Sequence, residues 1–210
     1  MRLQPEERAA LWGGLRQLGY VAACLGVTVM QLVLADITHG DTFKEMHFVE
    51  NMQFCLLLLS AVVLLAFAGG RRSGHQPLGC RLASLCLLAA CREMDMLFDA
   101  SPILSWKIGF AFPLAAMAYA LAKGRESLRL VLRFVNKPPC VMFTAAFLFI
   151  IVGQMIGHKP FLLDILGPVE HIGRIKEIFE EGVETIGYCT ILCASLELFF
   201  TRGAYTLPEA

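Results

Sequence analysis

The chain has 210 residues, 57% of them in the hydrophobic class and 17% charged, with 18 basic residues balancing 18 acidic ones. Soluble domains run roughly 45–50% apolar and about 25% charged, so this composition argues against a cytosolic globule and excludes a disordered chain. Cysteines such as Cys24, Cys55, Cys86, Cys91, Cys189 and Cys193 sit in apolar runs instead of polar loops, which is the pattern of neither a disulfide framework nor a zinc ribbon.

About 20 apolar residues in a helix cross a hydrocarbon layer roughly 30 Å thick. Runs of that kind are predicted at 19–35, 49–68, 78–98, 106–122, 140–157 and 182–200. The predicted fold is therefore all-α, one polytopic membrane domain over 1–210 built as a six-transmembrane-helix bundle. Pro5-Glu6-Glu7-Arg8 precedes a full-length first run, so that run is expected to be a retained span and not a cleaved leader. Lys and Arg concentrate in alternate connections, at Arg2, Arg8 and Arg16, at Arg71, Arg72 and Arg81, across 123–137, and at Arg202. The charge bias predicts that the N- and C-termini are both cytoplasmic in a multi-pass inner-membrane protein. Most carboxylates, and His39, His47, His158 and His171, then fall on the outer side.

The second span opens His47-Phe-Val-Glu50-Asn51-Met-Gln53. His47 and Glu50, three apart, share a helical face, a spacing that lets imidazole and carboxylate ligate one ion; a Glu at a helix start also complements the dipole without any ligand. The third span ends Cys91-Arg92-Glu93-Met94-Asp95, and Arg92 lies roughly 16 Å along the helix from Arg81. Ionisable groups at such depth cost about 2.5–3.5 kcal/mol each and face a bundle interior or wet cavity. Two readings stand: an ion pair that fixes packing, or Glu93 and Asp95 lining a cation or substrate site with Arg92 moderating their repulsion.

Lys107 begins the fourth span, where a terminal Lys commonly snorkels, and Pro113 is expected to kink it. The segment 123–137 reads as a basic amphipathic helix, with Arg125, Arg129 and Arg133 four apart and Leu128, Val131, Leu132 and Val135 opposite. It is expected to lie on anionic lipid of the cytoplasmic leaflet, with membrane lipids as its partners and no nucleic acid. Pro138-Pro139 should stop it before the fifth span, which ends at His158-Lys159.

In the sixth span Glu177, Glu181, Glu184 and Tyr188 follow i, i+4, i+7, i+11 spacing, an acidic stripe running into the membrane with a phenol beneath it. Pairing of Lys176 with Glu180 one turn on offers a plainer reading of its exposed start. Cys189 and Cys193, one turn apart, read as small-residue packing, and Glu197 is expected to pair near Arg202 or snorkel.

The polar positions of spans two, three and six share one height, and a common cavity hides them most cheaply. Crowded carboxylates need a compensating charge. The resulting expectation is an outward-facing acidic, His-containing cavity that binds a divalent cation, Zn, Mn or Fe, for metal-assisted chemistry on a lipid-borne or periplasmic substrate. Its candidate ligands are His47, Glu50, Glu93, Asp95, Glu181, Glu184 and His158; Arg92, Lys107 and Tyr188 are candidate substrate or charge partners. A proton- or cation-coupled transporter is the alternative, a scaffold with a structural salt-bridge network the second. P-loop, GxSxG, HExxH and dinucleotide fingerprints are missing, as are the ExxH pairs of di-iron bundles. Glu180-Glu181 matches the diacidic element of intramembrane CAAX-type metalloproteases, but Thr185 stands where their Arg would be.

Glu50, Arg92-Glu93-Met94-Asp95 and Glu180-Glu181-Gly182-Val183-Glu184 together resemble the acidic motifs of a group of polytopic bacterial inner-membrane proteins. The resemblance covers most of the chain, implies the same six-span architecture and carries no activity.

Overall fold

A computed structural model describes residues 4–37, 48–69, 76–93, 137–158 and 172–201, with isolated positions between 111 and 135. Among the described residues the chain forms helices: α1 (Pro5–Ile37), α2 (Phe48–Ala68), α3 (Gln76–Glu93), α4 (Pro138–Gly157) and α5 (Ile172–Phe200). Four of them are long and apolar enough to cross a membrane, over Ala10–Leu34, Phe48–Ala68, Pro138–Gly157 and Ile175–Phe200. Large apolar side chains such as Trp12, Leu18, Val62, Val141 and Phe147 point outward, more than half exposed. In water such a surface would be an aggregation liability, and in lipid it is the solvent-facing side.

Two boundaries differ from the sequence expectation. α1 starts well before residue 19: the Glu7 carboxylate accepts the Gln4 backbone N–H at 2.7 Å, closing a capping-box contact, and Pro5 takes the first helical position. α5 likewise begins ten residues before 182, so its acidic start and apolar body are one continuous rod. The described part of the third helix, Gln76–Glu93, carries Arg81, Arg92 and Glu93 and is not among the four helices long and apolar enough to cross a membrane. Of the predicted fourth span only isolated helical positions, including Leu114 and Ala118, are described.

α5 is the central element and packs on α1, α2 and α4, while α3 packs on α2. Close approach depends on missing side chains. A Cβ at Gly79 would lie 2.7 Å from Ala68 Cβ and 2.8 Å from the Leu64 carbonyl, which ties α3 to α2. At Gly153 it would lie 2.6 Å from Glu184 Cγ, so the α4 backbone sits directly over that carboxylate's stem. The core runs through Leu57, Leu64, Phe67, Tyr188 and Leu198. Hydroxyls in the apolar interior satisfy themselves locally: Ser60, Ser84, Thr190 and Ser195 each donate to the carbonyl four residues back.

Lys137 is extended at the N-cap of α4, and Pro138 opens that helix. In the segment before it Phe134 is buried against Phe143, ring centroids 6.1 Å apart, and Leu132 and Val135 are exposed. The aromatic ring offers more area to bury than either aliphatic neighbour. Arg125, Arg129 and Arg133 lie outside the described residues.

Candidate functional site

The first turns of α5's buried half put Glu181, Glu184, Thr185 and Tyr188 on one stripe, because i, i+3, i+4 and i+7 positions share a helical face. Three neighbouring helices deliver partners to it. From α2, the Gln53 side-chain amide donates to Glu181 Oε2 at 2.8 Å, to Thr185 Oγ1 at 2.9 Å and to the Glu181 carbonyl at 3.2 Å. From α3, Arg92 Nη2 donates to Glu184 Oε2 at 3.2 Å, and its Nε lies 3.5 Å from Glu93 Oε1. The Tyr188 hydroxyl donates to the same Glu93 oxygen at 2.7 Å. From α4, Gln154 donates to Glu184 Oε1.

Glu184 is 1% exposed and Tyr188 likewise, and Gln53 has no exposed surface. Burial on that scale makes every unpaired polar group costly, which is why each carboxylate here has a donor. Among the described residues here, acidic side chains outnumber basic ones. Glu50, Glu93 and Glu184 all act electrostatically on Glu181, and Glu180 acts on Glu184. Lys176 Nζ, 3.3 Å from Glu180, compensates that outer carboxylate, so Arg92 is left as the cation among the inner ones in the described residues. Gln53 Oε1 is buried with no hydrogen-bond partner.

Arg92 and Tyr188 also line a cavity of about 460 Å³ between α2, α3, α4 and α5, open on the side of Leu85 and Phe147, both more than half exposed. The rest of its wall is apolar, including Leu57, Leu85, Ala89, Phe147 and Ile150. Arg92 is half exposed on its side chain and uses only part of a guanidinium fork with five donors. Such a site can hold an apolar body with an oxygen-bearing head against Arg92, beside groups able to give or take a proton.

The structure brings together Arg92, Glu93, Glu181, Glu184 and Tyr188, with Glu50 in electrostatic range at the start of α2. His158 is exposed just past the end of α4, its backbone N–H bonded to the Met155 carbonyl. His47, Asp95 and Lys107 lie outside the described residues. Gln154 and Thr185 were not singled out by the sequence reading. An amide inside the otherwise apolar run 140–157 was the available signal for Gln154; Thr185 gave none, since a hydroxyl that bonds its own helix looks the same anywhere.

A second polar group closes the other half of α5. Glu197 takes a two-pronged contact from Arg16 of α1, at 3.0 and 3.2 Å, and the Tyr20 hydroxyl at 3.1 Å; Arg202 lies outside the described residues. Arg16 therefore belongs to a helix interior, where Glu197 neutralises it, and not to a terminal loop. Between the two groups, Cys24 of α1 meets Cys189 and Cys193, and the three sulfur atoms lie within 4.8 Å of one another. Among the described residues this is the set of three His, Cys, Asp or Glu ligand atoms that converges closely enough to hold a metal ion, whereas the carboxylates around Arg92 do not. Comparisons with protein-family models, with curated proteins and with solved structures found no match to this chain.

Proposed function

We propose that this chain is a six-span inner-membrane protein, both termini cytoplasmic, that binds a membrane-soluble amphiphile with an oxygen-bearing head. The apolar body occupies the cavity between α2, α3, α4 and α5, the head meets Arg92, and the Glu93–Tyr188 pair with Glu184 supplies proton-exchanging groups beside it. The observation that carries this reading is the composition of the cavity wall, apolar throughout except at the Arg92 and Tyr188 end. A polar route onward through the bundle has little support, because Ser60, Ser84 and Ser195 bond their own helices and Glu197 is closed by Arg16 and Tyr20.

Binding of a nitroxide-labelled long-chain alcohol to the detergent-purified protein tests the reading. Ala89→Phe, which fills the cavity, and Arg92→Gln, which removes the head contact, should each weaken binding at least tenfold. Equal binding by the unmutated chain and Ala89→Phe would reduce the signal to partition into the micelle and refute the site.

A divalent cation at the same carboxylates is a second reading, supported by the gathering of Glu93, Glu181 and Glu184 around Arg92, although their oxygens would have to move together to share one ion. It requires Glu184 to exchange Arg92 or Gln154 for the metal. Stoichiometric metal in the purified protein, lost in Glu184→Gln, would establish it; metal-free protein that still binds the labelled alcohol would leave the first reading alone.

A further inference from the structure

We propose that Cys24, Cys189 and Cys193 form a three-sulfur site for a soft monovalent cation, Cu(I), clamped between α1 and α5. The site is separate from the amphiphile cavity and stands or falls independently of it. Of the eight cysteines, Cys55 is exposed, Cys80, Cys91 and Cys140 are half-buried, and Cys86 is buried, and among the described residues none of these five belongs to a three-ligand cluster. The other three come together although Cys24 is 165 residues from Cys189 in sequence.

The geometry suits an ion. Cys189 and Cys193 are four apart, so both thiols leave the same face of α5, and Cys24 faces them from the antiparallel α1 with its Sγ 3.6 Å from Cys189 Sγ. Three sulfurs around one ion at a metal–sulfur distance of about 2.3 Å stand roughly 4 Å apart in a plane. The observed set, all within 4.8 Å, needs only side-chain rotation to reach that. The neighbouring helix contacts hold the frame: one turn along α5 from Cys193, Glu197 is fixed to Arg16 and Tyr20, and Thr28 bonds the Cys24 carbonyl.

Ligand chemistry selects the metal class. Thiolate donors favour soft ions, and hard cations such as Mg or Mn would find no oxygen set here. Zinc in a closed site wants a fourth strong ligand. The polar atom beside the sulfurs is the Thr190 hydroxyl, 3.8 Å from Cys24 Sγ, a neutral group already donating to the Ile186 carbonyl. Cu(I) is satisfied by three sulfurs, and each sulfur that binds as thiolate gives up its proton to solvent.

The test is anaerobic titration of the full-length, detergent-purified, reduced chain with Cu(I) in competition with a bicinchoninate chelator. One tightly held equivalent is expected in the unmutated protein and in the Cys55→Ser control. Cys24→Ser and Cys189→Ser should each weaken binding by more than about 100-fold, since even outer-shell partners are worth roughly 10–100-fold in metal affinity. A measurement on the unmutated chain guards against variants that fail to fold: bound copper should shield the half-buried Cys24, and not the exposed Cys55, from alkylation mapped by peptide mass spectrometry. No uptake, or uptake without protection of Cys24, would overturn the site. Preferential binding of Zn(II) over Cu(I) by the same cysteines would overturn the metal assignment.

Discussion

The two polar groups along α5 are built from the same residue types and balanced in opposite ways. Around Glu197 one carboxylate receives both prongs of Arg16 and the Tyr20 hydroxyl, so charge and hydrogen bonds close on themselves. Around Arg92 one guanidinium is shared by Glu93 and Glu184, Glu181 is held by the neutral amide of Gln53, and a cavity opens alongside. Arg–Glu–Tyr in a helical bundle is thus not a function by itself. The Glu197 triad satisfies itself, whereas among the described residues around Arg92 carboxylates outnumber the cation and an apolar-walled volume lies alongside.

Breaking the closed group should have the largest effect. Glu197→Ala removes the acceptor of Tyr20 and of Arg16, whose side chain is one-third exposed, and should cost about 2–3 kcal/mol, between a hydrogen bond to a charged group and one partner of a buried pair. Equilibrium unfolding in mixed micelles reads the loss, and a cost near zero would mean that α1 is held by its apolar contacts alone. At the open group, Tyr188→Phe deletes the 2.7 Å donor to Glu93 and should cost about 2 kcal/mol, in the range for hydrogen bonds to charged groups. Gly153→Ala forces α4 away from Glu184 and is expected to cost about 1 kcal/mol by overpacking, visible as a lower thermal midpoint in detergent.

Glu184→Gln sharpens the comparison most directly. It relieves the excess of carboxylate, Arg92 keeps Glu93, and Gln154 can turn its amide to match, so the expected cost is below about 1 kcal/mol. The same exchange at Glu197 should cost clearly more, and equal costs would erase the distinction between the two groups. Smallest of all, Lys176→Met removes a partly exposed i, i+4 pair with Glu180 and should shift stability by only about 0.3–0.5 kcal/mol.

Much of the open group was legible along the chain. Arg92 and Glu93 stand out because charge inside an apolar run is expensive, and the Glu181, Glu184, Tyr188 stripe follows from helical period alone. Gln53 was visible only as a polar residue near Glu50, and its threefold contact with α5 required the two helices to be placed side by side. The reading of Cys189 and Cys193 as packing residues followed from their spacing within α5, which contains no hint of Cys24. Arg16 was assigned to a terminal loop because Glu197, 181 residues away, is invisible to any local window.

Helices, their apolar character and the faces on which polar residues recur were determined by the sequence itself, since backbone hydrogen bonding in a helix is local and its period of 3.6 residues is fixed. Which carboxylate meets which cation, which thiols share a space, and where volume is left unfilled were decided by tertiary packing alone. These depend on contacts between helices, joining residues as far as 181 positions apart, and on how closely glycines such as Gly79 and Gly153 let one backbone approach another.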